Sequence, residues 1–178
     1  MNIKQKTKLA LVALAVTGCA ATVKVDITPA IDRTLCRPEV AAEVWWTTRW
    51  RADQKDVSLR DAAAEQGIRQ FLSKPGCFAT TVLHRGTPVS VGSSHSAVRI
   101  VLVVRELGPT LRIGSSLALV DGATEVVFDV ETVGEPQIPP RITVRWREGG
   151  PGVVKGVASL PADMAAALAT AFRAPPLR

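Results

Sequence analysis

Four stretches between Val98 and Arg147 are rich in strand-forming residues, and the last two alternate apolar and polar residues with a period of two. That period constrains the fold more than any other feature of the chain. It sends successive side chains to opposite faces of a strand, so each stretch can bury one face and leave the other in water. Val98–Leu107 is heavily β-branched, and Arg112–Val120 follows the Gly108-Pro109 break. Thr124–Val133 follows Asp121-Gly122, a hairpin signal, and sets Val126, Phe128 and Val130 against Val127, Asp129 and Glu131. Arg141–Arg147 sets Ile142, Val144 and Trp146 against Arg141, Arg145 and Arg147. The pattern predicts a meander of antiparallel strands with one buried face.

Two segments carry helical signals. Residues 58–73 open on Ser58 as an N-cap with Asp61 three residues later, place Ala62, Ile68, Phe71 and Leu72 on one stripe, and stop at Pro75-Gly76. Pro161–Phe172 is rich in alanine, with Met164, Leu168 and Phe172 on one face. Phe78–His84 reads as a further strand, and Thr22–Ile27 as either a strand or an extended tether. Pro38-Glu39 suits a helix start, but Val44-Trp45-Trp46-Thr47-Thr48-Arg49-Trp50 is rich in strand formers and favours a strand over Glu43–Arg51. Gly86–Ser96 and Glu135–Pro140 read as loops and Gly149–Gly152 as a turn. The expected fold class is α+β: a single domain in which an antiparallel sheet packs against two helices. A chain of 178 residues, 47% of them apolar, can build one such core.

The N-terminus has its own logic. Lys4, Lys6 and Lys8 precede an apolar run from Leu9 to Val16, and the small residues Thr17 and Gly18 follow, as in a secretory signal peptide. The apolar run is about half the ~20 residues a transmembrane helix needs. Val16-Thr17-Gly18-Cys19 resembles the lipobox of bacterial lipoproteins. The resemblance implies cleavage between Gly18 and Cys19, a diacyl group on the Cys19 sulfur and a further acyl chain on its new amino group. At ~0.8 kcal/mol per buried methylene, one chain holds marginally and two or three hold stably. The family's inner-membrane retention signal is Asp after the cysteine; Ala20 stands there, which points to the outer membrane, with the domain facing the periplasm. The organisation implied is a lipoprotein signal peptide at 1–18, a lipidated tether at 19–30 and a periplasmic α+β domain at 31–178.

Cleavage before Cys19 and lipid on it would change two numbers. Three of the 22 basic residues precede Cys19 and all 16 acids follow it, so a formal charge of +6 becomes +3 in the mature chain. The remaining charges mix in sign, as in Asp53, Lys55, Asp56, Arg60 and Asp61, so no nucleic-acid partner is expected. Of three cysteines, Cys36 and Cys77 remain once Cys19 carries lipid, and in an oxidising compartment they are expected to form a disulfide, two buried free thiols being the alternative.

Motifs for catalysis are sparse. The two histidines are His84 and His95; the latter lies in Ser93-Ser94-His95-Ser96, but no G-x-S-x-G elbow accompanies it. No metal-binding spacing occurs, and neither a metal nor another cofactor is expected. Gly149–Gly156 lacks the Gly-Lys-Ser/Thr ending of a phosphate loop, and Asp129 with Glu131 reads as the solvated face of a strand. Trp45, Trp46 and Trp50 are the most unusual cluster. On a strand, Trp46 and Trp50 share one face and Trp45 takes the other. The trio either packs the core or forms a binding surface for a glycan, lipid or protein.

Three pieces, Leu59–Phe78, Val98–Val133 and Pro161–Phe172, loosely resemble the small periplasmic domains of envelope lipoproteins, including auxiliary lipoproteins of ABC-type transport systems. The expected function is a non-enzymatic binding or scaffolding component of a membrane-associated assembly, held to the membrane by lipid on Cys19 and facing an envelope protein partner. The alternative is a periplasmic carrier of lipid or a small ligand, with Val98–Leu107 lining an apolar groove. A third reading is an envelope hydrolase built around His95.

Overall fold

The computed structural model describes residues 21–88, 97–113, 120–133 and 138–173. The expected signal peptide at 1–18, Cys19 and Ser93–Ser96 with His95 lie outside them. In chain order the elements are β1 (Thr22–Thr28), β2 (Ala41–Thr48), α1 (Val57–Leu72), β3 (Thr81–Arg85), β4 (Ala97–Ile113), β5 (Val120–Val133), β6 (Arg141–Pro151), a 3-10 turn (Val157–Ser159) and α2 (Leu160–Arg173). They form one domain with a single sheet of order β1-β6-β5-β4-β2-β3.

The sheet is mixed, which corrects the antiparallel expectation. β1, β6, β5 and β4 pair antiparallel, but β2 runs parallel to both β3 and β4. For β2 and β3 the physical reason is the connection: α1 lies between them, and a helix returns the chain to the end where it started, which makes those two strands parallel. Alternation reports which face a residue occupies and is blind to strand direction.

Several boundaries also differ. The strand expected at Glu43–Arg51 ends at Thr48, and that expected at Phe78–His84 begins at Thr81. Gly108-Pro109 does not break the chain: β4 runs through it, pairing Gly108 with Glu125 and Pro109 with Thr124. Asp121-Gly122 is likewise inside β5, opposite Arg112 and Leu111, and most of the strand expected at Arg112–Val120, residues 114–119, lies outside the described residues. Gly149 and Gly150 belong to β6. A Cβ on Gly149 would collide with the backbone of Gly122 and Ala123, so glycine there permits strand contact where a turn was expected. Thr22–Thr28, part of the expected tether, is an edge strand of the sheet along β6.

Both helices cover one face of the sheet. Ile100, Leu102 and Val104 of β4, Val126, Phe128 and Val130 of β5, and Ile142, Val144 and Trp146 of β6 form one core with Ile68 and Phe71 of α1 and Met164, Leu168 and Phe172 of α2. The face assignments for β5 and β6 thus match the alternation. On α1 the buried stripe is Ala63, Ala64, Gly67, Ile68 and Phe71, whereas Ala62 is exposed. Ser58 lies inside this helix; Asp56 precedes it in a left-handed conformation, φ 57°, without a side-chain cap. Gly67 allows the helices to touch, since a Cβ there would sit 2.5 Å from Met164 Cβ and 2.6 Å from the Pro161 carbonyl oxygen.

The disulfide joins Cys36 to Cys77, 41 residues apart, with Cα atoms 4.4 Å from each other. It ties the entrance of β2 to the entrance of β3 beneath the α1 crossover. The backbone repeats the link, with the Arg37 amide donating to the Cys77 carbonyl at 2.6 Å. The Leu35 and Cys36 amides donate to the Phe172 carbonyl, which fastens the end of α2 to the same corner.

Candidate functional site

The sheet face opposite the helices is where function can be sought, because among the described residues no helix lies on it. Alternation puts Glu43 and Trp45 of β2, Arg99, Val101, Val103 and Arg105 of β4, Glu125, Val127, Asp129 and Glu131 of β5, and Arg141, Thr143, Arg145 and Arg147 of β6 there. The charges are partly interlocked. Arg99 faces Glu43 at 3.5 Å, and Arg141 lies 3.8 Å from Glu131.

Asp129 is at the centre and is fully buried, which overturns its reading as a solvated carboxylate. Thr143 Oγ1 donates to Asp129 Oδ1 at 2.8 Å, Arg141 Nη2 donates to Oδ2, and Arg105 Nη1 lies 3.6 Å from Oδ1. Burial pushes the Asp129 pKa upward, but the hydrogen bonds from Arg141 and Thr143 and the charges of Arg141 and Arg105 outweigh it and hold the carboxyl below its ordinary value. A carboxylate locked in the ionised form is a poor general acid or base near neutral pH. Its depressed pKa contributes stability that is present above the unfolded value, about 3.9, and is lost as pH falls through the lower folded value. We expect Asp129→Asn to flatten the acid side of the stability profile measured by urea unfolding between about pH 5 and pH 2. An unchanged acid slope would remove Asp129 from that role.

The tryptophans do not form one surface. Trp46 is buried among core residues at 1% exposure, with the Arg85 guanidinium 4.9 Å from its ring centre. Trp45 points to the opposite face and stacks on His84, ring centres 4.4 Å apart. Trp50 lies beyond the end of β2, so the expectation that it continues the Trp46 face as part of the strand does not hold. It packs against the core, and its Nε1 donates to Asp61 Oδ1 at 2.8 Å. Arg85 pairs with the other Asp61 oxygen.

Trp50 also lines the groove that sequence reasoning missed. This cleft, of about 580 Å³, is walled by Arg49, Trp50, Arg51 and Gln54 after β2, by Arg60 of α1, by Arg105, Glu106, Pro109 and Thr110 of β4, and by Glu125, Val127 and Arg145 of β5 and β6. A bulge builds it. The register between β4 and β5 shifts between Val104 and Glu106, so Val104 opposes Phe128 in the core, Glu106 opposes Val127 on the other face, and Leu107 returns to the core opposite Val126. Two consecutive charged residues, Arg105 and Glu106, thereby sit between the core residues Val104 and Leu107. A Cβ on Gly108 would strike the Arg60 guanidinium, so glycine leaves room for Arg60 to donate to the Leu107 carbonyl. The only sequence signal for this was two adjacent charges interrupting a β-branched run.

Among the described residues no three potential metal ligands converge, and no helix is long and apolar enough to cross a membrane. The fold and this face together define a single mixed sheet with helices on one side and a charged, grooved surface on the other.

No protein-family model and no curated protein matches this sequence. Among solved structures it is similar to the PelC dodecamer from Paraburkholderia phytofirmans. One crystal form gives 12% identity and a TM-score of 0.44, covering 85% of this chain and 99% of that one. A single-residue variant gives 14% identity and a TM-score of 0.43, covering 86% and 98%. Protein XCC0632 from Xanthomonas campestris shares 13% identity with a TM-score of 0.34, covering 84% of this chain and 86% of that one.

Proposed function

We propose that the chain is a lipid-anchored, non-enzymatic component of a bacterial envelope assembly, held to the outer membrane through Cys19 and offering a periplasmic domain to a protein partner. The observation that supports this reading most is the division of labour in the sheet. One face is spent on a filled core, in which Trp46, Phe71, Phe128, Trp146 and Phe172 are each less than 2% exposed. The other carries the interlocked charges and the Trp45–His84 stack. A filled core favours a scaffold over a carrier, which needs an apolar cavity between sheet and helices. The ionised Asp129 favours binding over proton transfer.

Two arms of one experiment test this. Cys19→Ala is expected to lose acyl labelling and to release the chain into the soluble fraction; retention with labelling would end the anchor reading. In intact envelopes, a photo-crosslinker at Glu131, on the charged face, is expected to capture a protein partner, and one at the exposed helix position Gln66 is not. Equal patterns from both positions, or capture only from Gln66, would end the scaffold reading.

A further inference from the structure

The groove carries more positive charge than its own carboxylates satisfy. Arg51 and Arg60 both lean on Glu106, at 3.3 and 3.7 Å, and Arg105 leans on Asp129. Among the described residues, Arg49 and Arg145 have no carboxylate within ion-pairing distance, and neither does the other groove carboxylate, Glu125, have a cation. Four elements of the fold and the segment after β2 therefore bring five arginines and two glutamates to one recess. Like charges so placed repel one another, and a bound anion relieves the repulsion. A guanidinium is a planar fork that grips a carboxylate or a phosphate with two parallel hydrogen bonds.

The recess is not purely polar. Trp50 forms one wall, anchored through its Nε1 to Asp61, and Val127 and Pro109 add apolar area. An indole face bears negative quadrupole charge and attracts the weakly positive C–H face of a sugar ring. A free inorganic anion has no use for such a wall, and the plane of a bilayer reaches the rim of a recess more readily than its floor. The volume, about 580 Å³, is that of a cleft for a small ligand.

We propose that this groove binds an anionic glycan: a sugar ring bearing a carboxylate or a phosphate, with Arg49 and Arg145 holding the anion and Trp50 packing on the ring. The site depends neither on the lipid anchor nor on a protein partner, so it goes beyond the scaffold reading and is tested separately from it. Arg49 and Arg145 are both exposed, so replacing them leaves the fold intact.

The test is calorimetric and fluorescence titration of the full chain in neutral detergent at low salt. The probes are trigalacturonate, glucose 1-phosphate, neutral maltotriose and phosphatidylglycerol vesicles. Binding of trigalacturonate supports a carboxylated glycan, and binding of glucose 1-phosphate a phosphorylated one; maltotriose is expected not to bind. Arg49→Gln and Arg145→Gln should each weaken binding about tenfold and the double variant about 100-fold, as for the loss of one and two charge-assisted contacts. Trp50→Phe should abolish the fluorescence change on binding. The proposal is overturned if neither acidic sugar binds at millimolar concentration, if maltotriose binds as tightly, or if the double variant binds like the parent. It is equally overturned if only the vesicles bind.

Discussion

Replacing Asp163 with alanine is expected to cost about 3–5 kcal/mol, the range seen when one partner is removed from a buried, hydrogen-bonded charge pair. Asp163 sits in the first turn of α2, where a carboxylate also faces the positive end of the helix dipole. Its side chain is 5% exposed and accepts three hydrogen bonds: from Thr124 Oγ1 of β5 at 2.6 Å, from Ser159 Oγ at 2.8 Å and from Lys155 Nζ at 2.8 Å. Lys155 reaches Glu148 of β6 at 2.7 Å as well. One carboxylate therefore clamps the start of the helix to two strands. Burial pulls the Lys155 pKa down, but Asp163 and Glu148 overcome it and hold the ammonium above its ordinary value. That contribution is present below about pH 10.4 and is lost only as pH rises through the higher folded value. Alanine strands the fully buried Thr124 hydroxyl and half-strips Lys155. Asp163→Asn keeps an acceptor and drops the charge, so it should lose about half as much and serves as the measurable variant if alanine prevents folding. Urea unfolding at neutral pH checks both. Losses below about 1 kcal/mol for each would show that the clamp does not hold the helix.

The second large effect is expected from the disulfide. Joining residues 41 apart removes chain entropy from the unfolded state equivalent to ~4 kcal/mol in the loop-closure model, and measured values are often somewhat lower. A Cys36→Ala, Cys77→Ala double variant should therefore lose about 2–4 kcal/mol, or roughly 5–15 °C in Tm for a domain of this size. The loss arises mainly in the unfolded chain, and this distinguishes it from the Asp163 effect. Without the cross-link the unfolded ensemble expands and exposes more surface, so the urea m-value should rise, whereas Asp163→Ala should leave it unchanged. The Arg37 amide bond to Cys77 and the amide bonds to Phe172 keep the corner assembled in the folded state. An unchanged midpoint and m-value would mean that the bridge adds nothing to this geometry.

The cysteine pair was legible because counting, once Cys19 is assigned to lipid, leaves two thiols. The three tryptophans were legible in part. Period two separates Trp45 from Trp46 wherever the strand begins, but Trp50 lies after Thr48, where alternation no longer governs direction. The α1 stripe shows a related limit. A period of 3.6 offers several faces, and the contact between Gly67 and Met164 selects the one that includes Gly67 and leaves Ala62 in water.

By itself, the sequence placed the two helices and most of the strands, though not their ends, and for β5 and β6 it told which side chains face the helices. These follow from periodicity, a local property that repeats every two or 3.6 residues. Only the tertiary structure decided strand order and the parallel pairing of β2, the bulge that puts Arg105 and Glu106 between core neighbours, and the burial of Asp129 and Asp163. It alone assembled the arginine groove, from elements as far apart as Arg49 and Arg145. Each of these depends on which strand or helix becomes a neighbour. A carboxylate written into a strand pattern looks solvated until arginines from two other strands close over it.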